Sequence, residues 1–171
     1  FDELLQLFLT RSDIPGRDEF PLLRPAIPSY RFPSHILSKS IMNKNLQERK
    51  IQRVRQSLQN VNSDYSQIKY IVPWYNTAII EPGTVDMFIS HAVFEHVEDI
   101  AKSYEAIYGS LKPGGIMSHQ IDFKSHNTHK EWNGHWTYSN RQWNLIRGKR
   151  PFLINREPHS SHLRAIKKLG F

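Results

Sequence analysis

The stretch Val85-Asp86-Met87-Phe88-Ile89-Ser90-His91-Ala92-Val93-Phe94-Glu95-His96-Val97, with Leu111-Lys112-Pro113-Gly114-Gly115-Ile116 some fifteen residues on, decides how this chain is read. Val85 to Ser90 is a short apolar run opened by the turn signal Glu81-Pro82-Gly83, the pattern of a buried strand. Val97, Ile100, Ala101, Tyr104, Ile107, Tyr108 and Leu111 then recur at helical spacing. Glu98 and Asp99 stand where the N-terminus of that helix carries positive partial charge. Lys112-Pro113-Gly114-Gly115 stops the helix, because proline cannot continue it and glycine supplies the turn, and Ile116 to Phe123 reads as a second strand. A strand, helix, strand unit requires a right-handed crossover and a parallel sheet covered by helices.

Outward from this unit the signals weaken. Ile68 to Val72, bounded by Pro73, reads as a further buried strand. Leu46, Ile51, Val54, Leu58 and Val61 share one face of an amphipathic helix that ends between Asn60 and Asp64. Prolines at 15, 21, 25, 28 and 33 remove backbone donors and restrict their neighbours, so 11–43 is expected to be an irregular insertion or loop. Phe1 to Leu9 suits one helix, or a strand end running into a helix. Two later helices are predicted, Asn140 to Arg147 ending at Gly148 and Ser161 to Leu169 ending at Gly170.

At 171 residues the chain is long enough to bury one real core, and its composition is that of a folded protein. There is no cysteine, which excludes disulfides, thiolate metal sites and cysteine nucleophiles. No apolar run approaches the roughly 20 residues that a membrane helix needs, so no membrane partner is expected and the default location is cytoplasmic. The net charge of +7 is dispersed; its densest groups are 44–55 and 147–150, and an exposed helix face accounts for the first. Nucleic acid is therefore not the expected partner, and an RNA-binding or RNA-modifying module stays an alternative resting on charge alone.

Taken together, the stretch 85–97 and the turn 111–115 resemble the central signature of class I S-adenosylmethionine-dependent methyltransferases of the type 11-like group. In that family an acidic residue opens the fourth strand, a Glu-His-Val-like turn follows it, and a helix leads through Lys-Pro-Gly-Gly into the fifth. The resemblance extends from about Ile68 to Phe171. It implies an α/β fold, a three-layer Rossmann-like sheet of mostly parallel strands with helices on both faces. It also implies that residues 1–171 form a single partial domain: no G-x-G pattern precedes Val85, the chain starts at Phe1 rather than Met, and it stops at Leu169-Gly170-Phe171. The first strand with its glycine loop and the last strands are thus expected to be absent. Residues 124–160 would form a cover on the substrate side.

The implied activity is methyl transfer from S-adenosylmethionine to an unidentified small-molecule or saccharide-type acceptor. A methyltransferase-like scaffold or interaction domain without cofactor binding is the main alternative. Ligands of open parallel sheets sit beyond the carboxyl ends of the strands, which places Ser90, His91, Ala92 and His96 at the cofactor. If Phe1-Asp2 ends the second strand, Asp2 resembles the acidic residue that takes the cofactor ribose. Where the family often has an acidic residue facing adenine, this chain offers Trp74, Tyr75 and Asn76; Trp74 could stack on the base and Asn76 hydrogen-bond it. Asp86 and Glu95 are expected to be structural. His119, Asp122 and His126, following the fifth strand, are the expected acid and base groups, needed if the acceptor is a hydroxyl or amine. Alternation on a strand points His119 and Asp122 to opposite faces, and no standard zinc spacing occurs, so no metal is expected. Trp132, Trp136, Tyr138 and Trp143 suit packing of the cover better than ligand stacking.

Overall fold

The computed structural model describes residues 1–16, 18, 19, 21, 27–75 and 79–171. These form two compact units, Phe1–Tyr70 and Ile71–Phe171.

The first unit is helical. Helix α1 spans Asp2–Thr10, α2 Lys39–Asn45 and α3 Glu48–Gln59. Phe1-Asp2 thus opens a helix rather than closing a strand, and the Asp2 carboxylate accepts from the Arg55 guanidinium of α3 at 2.8 Å. Helix α2 begins inside the segment 11–43 read as irregular. Its start needs only the Ser38 hydroxyl, which accepts from the Ile41 amide at 3.3 Å, and no proline follows Pro33 to prevent it.

Ile68 to Val72 is not a strand. A strand is held by a ladder partner, and here the backbone groups of Tyr70 are taken by one side chain: the Asn62 amide nitrogen donates to the Tyr70 carbonyl at 3.1 Å, while its oxygen accepts from the Tyr70 N–H. Asn62 itself sits at φ 69°, a left-handed conformation that asparagine tolerates.

The second unit holds the decisive stretch. Strand β1, Val85–His91, pairs in parallel with β2, Leu111–Gln120, and helix α4, Ile100–Ser110, connects them. Asp99 caps α4 by accepting from the Lys102 amide at 3.0 Å. The ladder slips between Val85 and Met87, so that Val85 faces Leu111 while Met87 already faces Ile116; the intervening Pro-Gly-Gly absorbs the difference. Gly114 has φ 79°, and a Cβ on Gly115 would stand 2.9 Å from the Lys112 carbonyl and 3.1 Å from that of Val85, so both positions require glycine. Asp86 reaches Lys112 at 2.7 Å beside the same turn. Helices α5, Asn140–Arg147, and α6, His159–Lys168, complete the unit.

The core is Phe94, Ile100, Tyr104, Ile107 and Leu111, joined from the sheet by Val85, Phe88 and Met117 and from α6 by Ala165 and Ile166. Tyr104 and Ile107 are each only 1% exposed. Helices α4 and α6 pack together. On the sheet, the residues alternating with that core, Met87, Ile89 and Ile116, are exposed, Ile89 by 70%. The mixed architecture and parallel pair suit an incomplete α/β methyltransferase fold; within this unit the described residues supply helices to the core-facing side of the sheet.

Candidate functional site

The site begins where β1 ends. Ala92 adopts φ 52°, and its N–H donates to the Gln120 carbonyl at the end of β2 at 2.9 Å. The chain therefore turns off the sheet at once, and a 3-10 turn over Phe94–His96 follows. Phe94 drops into the core and stacks on Tyr104, ring centroids 4.7 Å apart. Glu95 is buried at 3% exposure, and neither carboxylate oxygen has a hydrogen-bond partner among the described residues.

A strap from the far end of the unit holds this turn. The Asn155 amide nitrogen donates to the carbonyls of Phe94 and Val97, both at 2.7 Å, and the Asn155 N–H donates to the Glu95 carbonyl at 2.7 Å. The Phe152 carbonyl accepts from His96 Nδ1 at 2.7 Å. Phe152 sits at φ 59°, uncommon for a bulky side chain. Sequence patterns contain no sign of Phe152 or Asn155, since one acts through its carbonyl and the other lies in no motif.

His96 and Trp74 come together on the walls of a cleft of about 910 Å³, with Tyr75, Val93 and Phe152 on its apolar side and Glu98, Asp99, Lys102 and Glu105 from the α4 end. Trp74 is braced edge-on by Phe88 of β1, centroids 6.1 Å apart. His96 also leans on His126, centroids 5.4 Å apart. His126 Nε2 donates to Asp122 Oδ2 at 3.1 Å, and Asp122 Oδ1 accepts from the Lys124 amide at 2.9 Å. Partial burial pushes the Asp122 carboxyl up, but the Lys124 N–H, the His126 bond and the charges of both residues outweigh it and hold the group below the usual carboxylate range.

His119 is placed differently. It stands opposite Ser90 in the ladder, and its Nδ1 shares a hydrogen bond with the Ser90 hydroxyl at 2.8 Å. Its ring packs on Phe94, centroids 4.5 Å apart, and its Nε2 is shielded with no partner among the described residues. Burial pushes the His119 imidazole below its ordinary value. Asp122 and His126 are thus brought together with His96, while His119, half-buried, pairs with Ser90 across the ladder. His91 and Ala92 are exposed at the strand end. Asp2 belongs to the first unit, and Asn76 lies outside the described residues. Among the described residues no cluster of three or more acidic or histidine side chains is arranged to hold a metal ion, and no helix is long and apolar enough to cross a membrane.

No curated protein and no solved structure matches the chain. The model of a methyltransferase-domain family matches residues 31–118, more than half of the chain. The match includes Trp74, Ser90 and His96 and stops one residue before His119. With the parallel β1–α4–β2 unit and its strand-end loop in place, the chain belongs to the methyltransferase-domain family, within the class I S-adenosylmethionine-dependent methyltransferases.

Proposed function

We propose that this domain transfers a methyl group from S-adenosylmethionine to a small-molecule or saccharide-type acceptor. The observation that carries the reading is the cleft beyond β1, where Trp74 and His96 share one space with carboxylates of the α4 end. Its lining suits a cationic nucleoside: the Trp74 indole offers a flat face for a purine, and of the three carboxylates Glu98 pairs with Arg147 and Asp99 with Lys102, while Glu105 has no ion-pair partner among the described residues. Trp74 would hold the adenine, and Glu105 would favour the positive charge. Bound there, S-adenosylmethionine supplies an electrophilic methyl group. Ser90 would serve indirectly, since its hydroxyl faces His119, and Asp122 and His126 stand beside His96 for proton traffic. Methyl transfer depends more on alignment in a water-poor pocket than on acid or base chemistry, which suits a site rich in aromatic walls.

The test is calorimetric titration of S-adenosylhomocysteine into the wild-type chain and Trp74→Ala. Base stacking on an aromatic side chain contributes roughly 1–3 kcal/mol, so the variant should bind at least several-fold more weakly. Absence of binding by the wild type, or equal binding by the variant, would refute this use of the cleft.

A further inference from the structure

The acid–base group nearest the cleft differs from the one that spacing along the chain suggests. His119 is half-buried against Phe94 and Tyr104 and bonded to Ser90, and it does not line the cleft. His126 has given its Nε2 to Asp122. His96 alone of these three lines the cleft. Its Nδ1 faces a backbone carbonyl, which can only accept, so Nδ1 must carry the hydrogen. The neutral ring then has its lone pair on Nε2, and Nε2 has no hydrogen-bond partner among the described residues. A carbonyl that fixes the tautomer of a histidine in this way decides which nitrogen is free to take a proton.

Backbone strain gathers around the same ring. Phe152, whose carbonyl holds Nδ1, and His126, whose ring lies against it, both have positive φ, 59° and 44°. Such conformations persist where surrounding structure over-determines them, and they concentrate at working sites. The strap from Asn155 to Phe94, Glu95 and Val97 fixes the backbone on either side of His96. The ring is thus held at its carbonyl side and left open on its basic side.

We propose that His96 is the catalytic base of this domain, receiving at Nε2 a proton from an acceptor whose reacting atom bears N–H or O–H. This rests on the methyltransferase reading given above. In the step, the acceptor N–H or O–H bond breaks, its electron pair stays on nitrogen or oxygen, and a new N–H bond forms at Nε2; the imidazolium later returns the proton to solvent. The acceptor is left with the lone pair that methylation requires. Thioether and carbon acceptors without an ionisable proton have no use for such a group.

The experiment uses the full chain with His96→Asn and His96→Ala. The asparagine amide nitrogen falls where Nδ1 was and keeps a donor for the Phe152 carbonyl, while the basic nitrogen is gone. Imidazole nitrogen NMR of the wild type at neutral pH should show His96 with Nδ1 protonated and Nε2 bare; the opposite tautomer overturns the assignment. S-adenosylhomocysteine binding to each variant is titrated alongside, and transfer is compared with the cleft saturated, so that a loss of transfer is read apart from any loss of cofactor. Single-turnover methyl transfer from labelled S-adenosylmethionine to ethanolamine, catechol and glucosamine should fall by about a hundredfold or more in both variants. If His96 only fastened the loop, asparagine would restore transfer and alanine would not, and that result overturns the proposal. Transfer to none of the three acceptors, by a wild-type chain that does bind S-adenosylhomocysteine, overturns it as well. A wild-type chain that binds no S-adenosylhomocysteine removes the methyltransferase reading itself, and the proposal falls with it.

Discussion

Replacing Tyr104 by Phe isolates one buried hydrogen bond and leaves the surrounding shape unchanged. The Tyr104 hydroxyl lies 3.0 Å from His162 Nδ1, both residues are almost wholly buried, and His162 Nε2 already lacks a partner. If the phenol donates to Nδ1, a single group is stranded, the Nε2–H. If it accepts, both its own hydrogen and the Nε2 lone pair are stranded. Donation is therefore the arrangement that leaves least unsatisfied, and burial, which pushes the Tyr104 phenol up to about 12, keeps that hydrogen in place. Tyr104→Phe removes it and leaves Nδ1 buried and bare, at a cost of roughly 1–3 kcal/mol. Each kcal/mol shifts the melting temperature of a chain of this size by about 2–4 °C. Thermal and urea melts should show the loss, and adding His162→Leu should recover most of it, because removing both partners of a buried bond is far cheaper than removing one. A Tyr104→Phe protein as stable as the wild type, or a double variant losing the full sum of the single losses, would refute the reasoning.

Stability should also fall in acid. Burial pushes His119 and His162 below their ordinary value, and burial together with Arg156, His126 and His129 does the same to His135. The unfolded chain then binds more protons than the folded one, so this contribution is fully present above the unfolded value of 6.5 and is lost as pH falls below it; urea midpoints at pH 7.5 and 5.5 measure it. Gly134→Ala should destabilise the 124–137 loop by roughly 1–3 kcal/mol, since the new Cβ would lie 1.8 Å from His129 Nδ1 and must displace the ring that accepts from the Glu131 amide; melts and the His129 NMR resonances report it. Asn155→Ala strands the Phe94 and Val97 carbonyls, and hydrogen exchange at His96 and Val97 should rise by at least about tenfold, corresponding to a loss of roughly 1–3 kcal/mol.

The β1–α4–β2 unit was legible because three local signals agree there: a compact apolar run, a helical repeat after it, and a Pro-Gly-Gly stop between helix and strand. Ile68 to Val72 carries the first signal alone. An apolar run specifies a strand only when a neighbour offers a ladder, and Asn62 supplies a substitute for two residues, its side chain for Tyr70 and its N–H for the Ile68 carbonyl. Helix α2 was hidden by reading the prolines of 11–33 further than they reach, although Ser38 marks its start. For the site, the loop 90–96 follows from the rule for strand ends. The separation of His119 from Asp122 and His126 follows from strand alternation, yet its consequence, His119 half-buried against Phe94 and Tyr104, depends on which face α4 and α6 cover. The bond from His96 to Phe152 joins residues 56 apart and uses a carbonyl that every residue possesses, so no side-chain pattern announces it.

Phe94 has a further consequence for how anything enters the cleft. The ring is wedged among Tyr104, His119 and His162 two residues before His96, and withdrawing it would cost about as much as a Phe→Ala core truncation, roughly 3–5 kcal/mol. Tyr75 and Phe152, which also line the cleft, have largely exposed side chains, and the Phe152 carbonyl is tied to the His96 ring. The His96 edge of the opening is therefore a fixed jamb: whatever enters the cleft meets a ring whose backbone is nailed to the core two residues away.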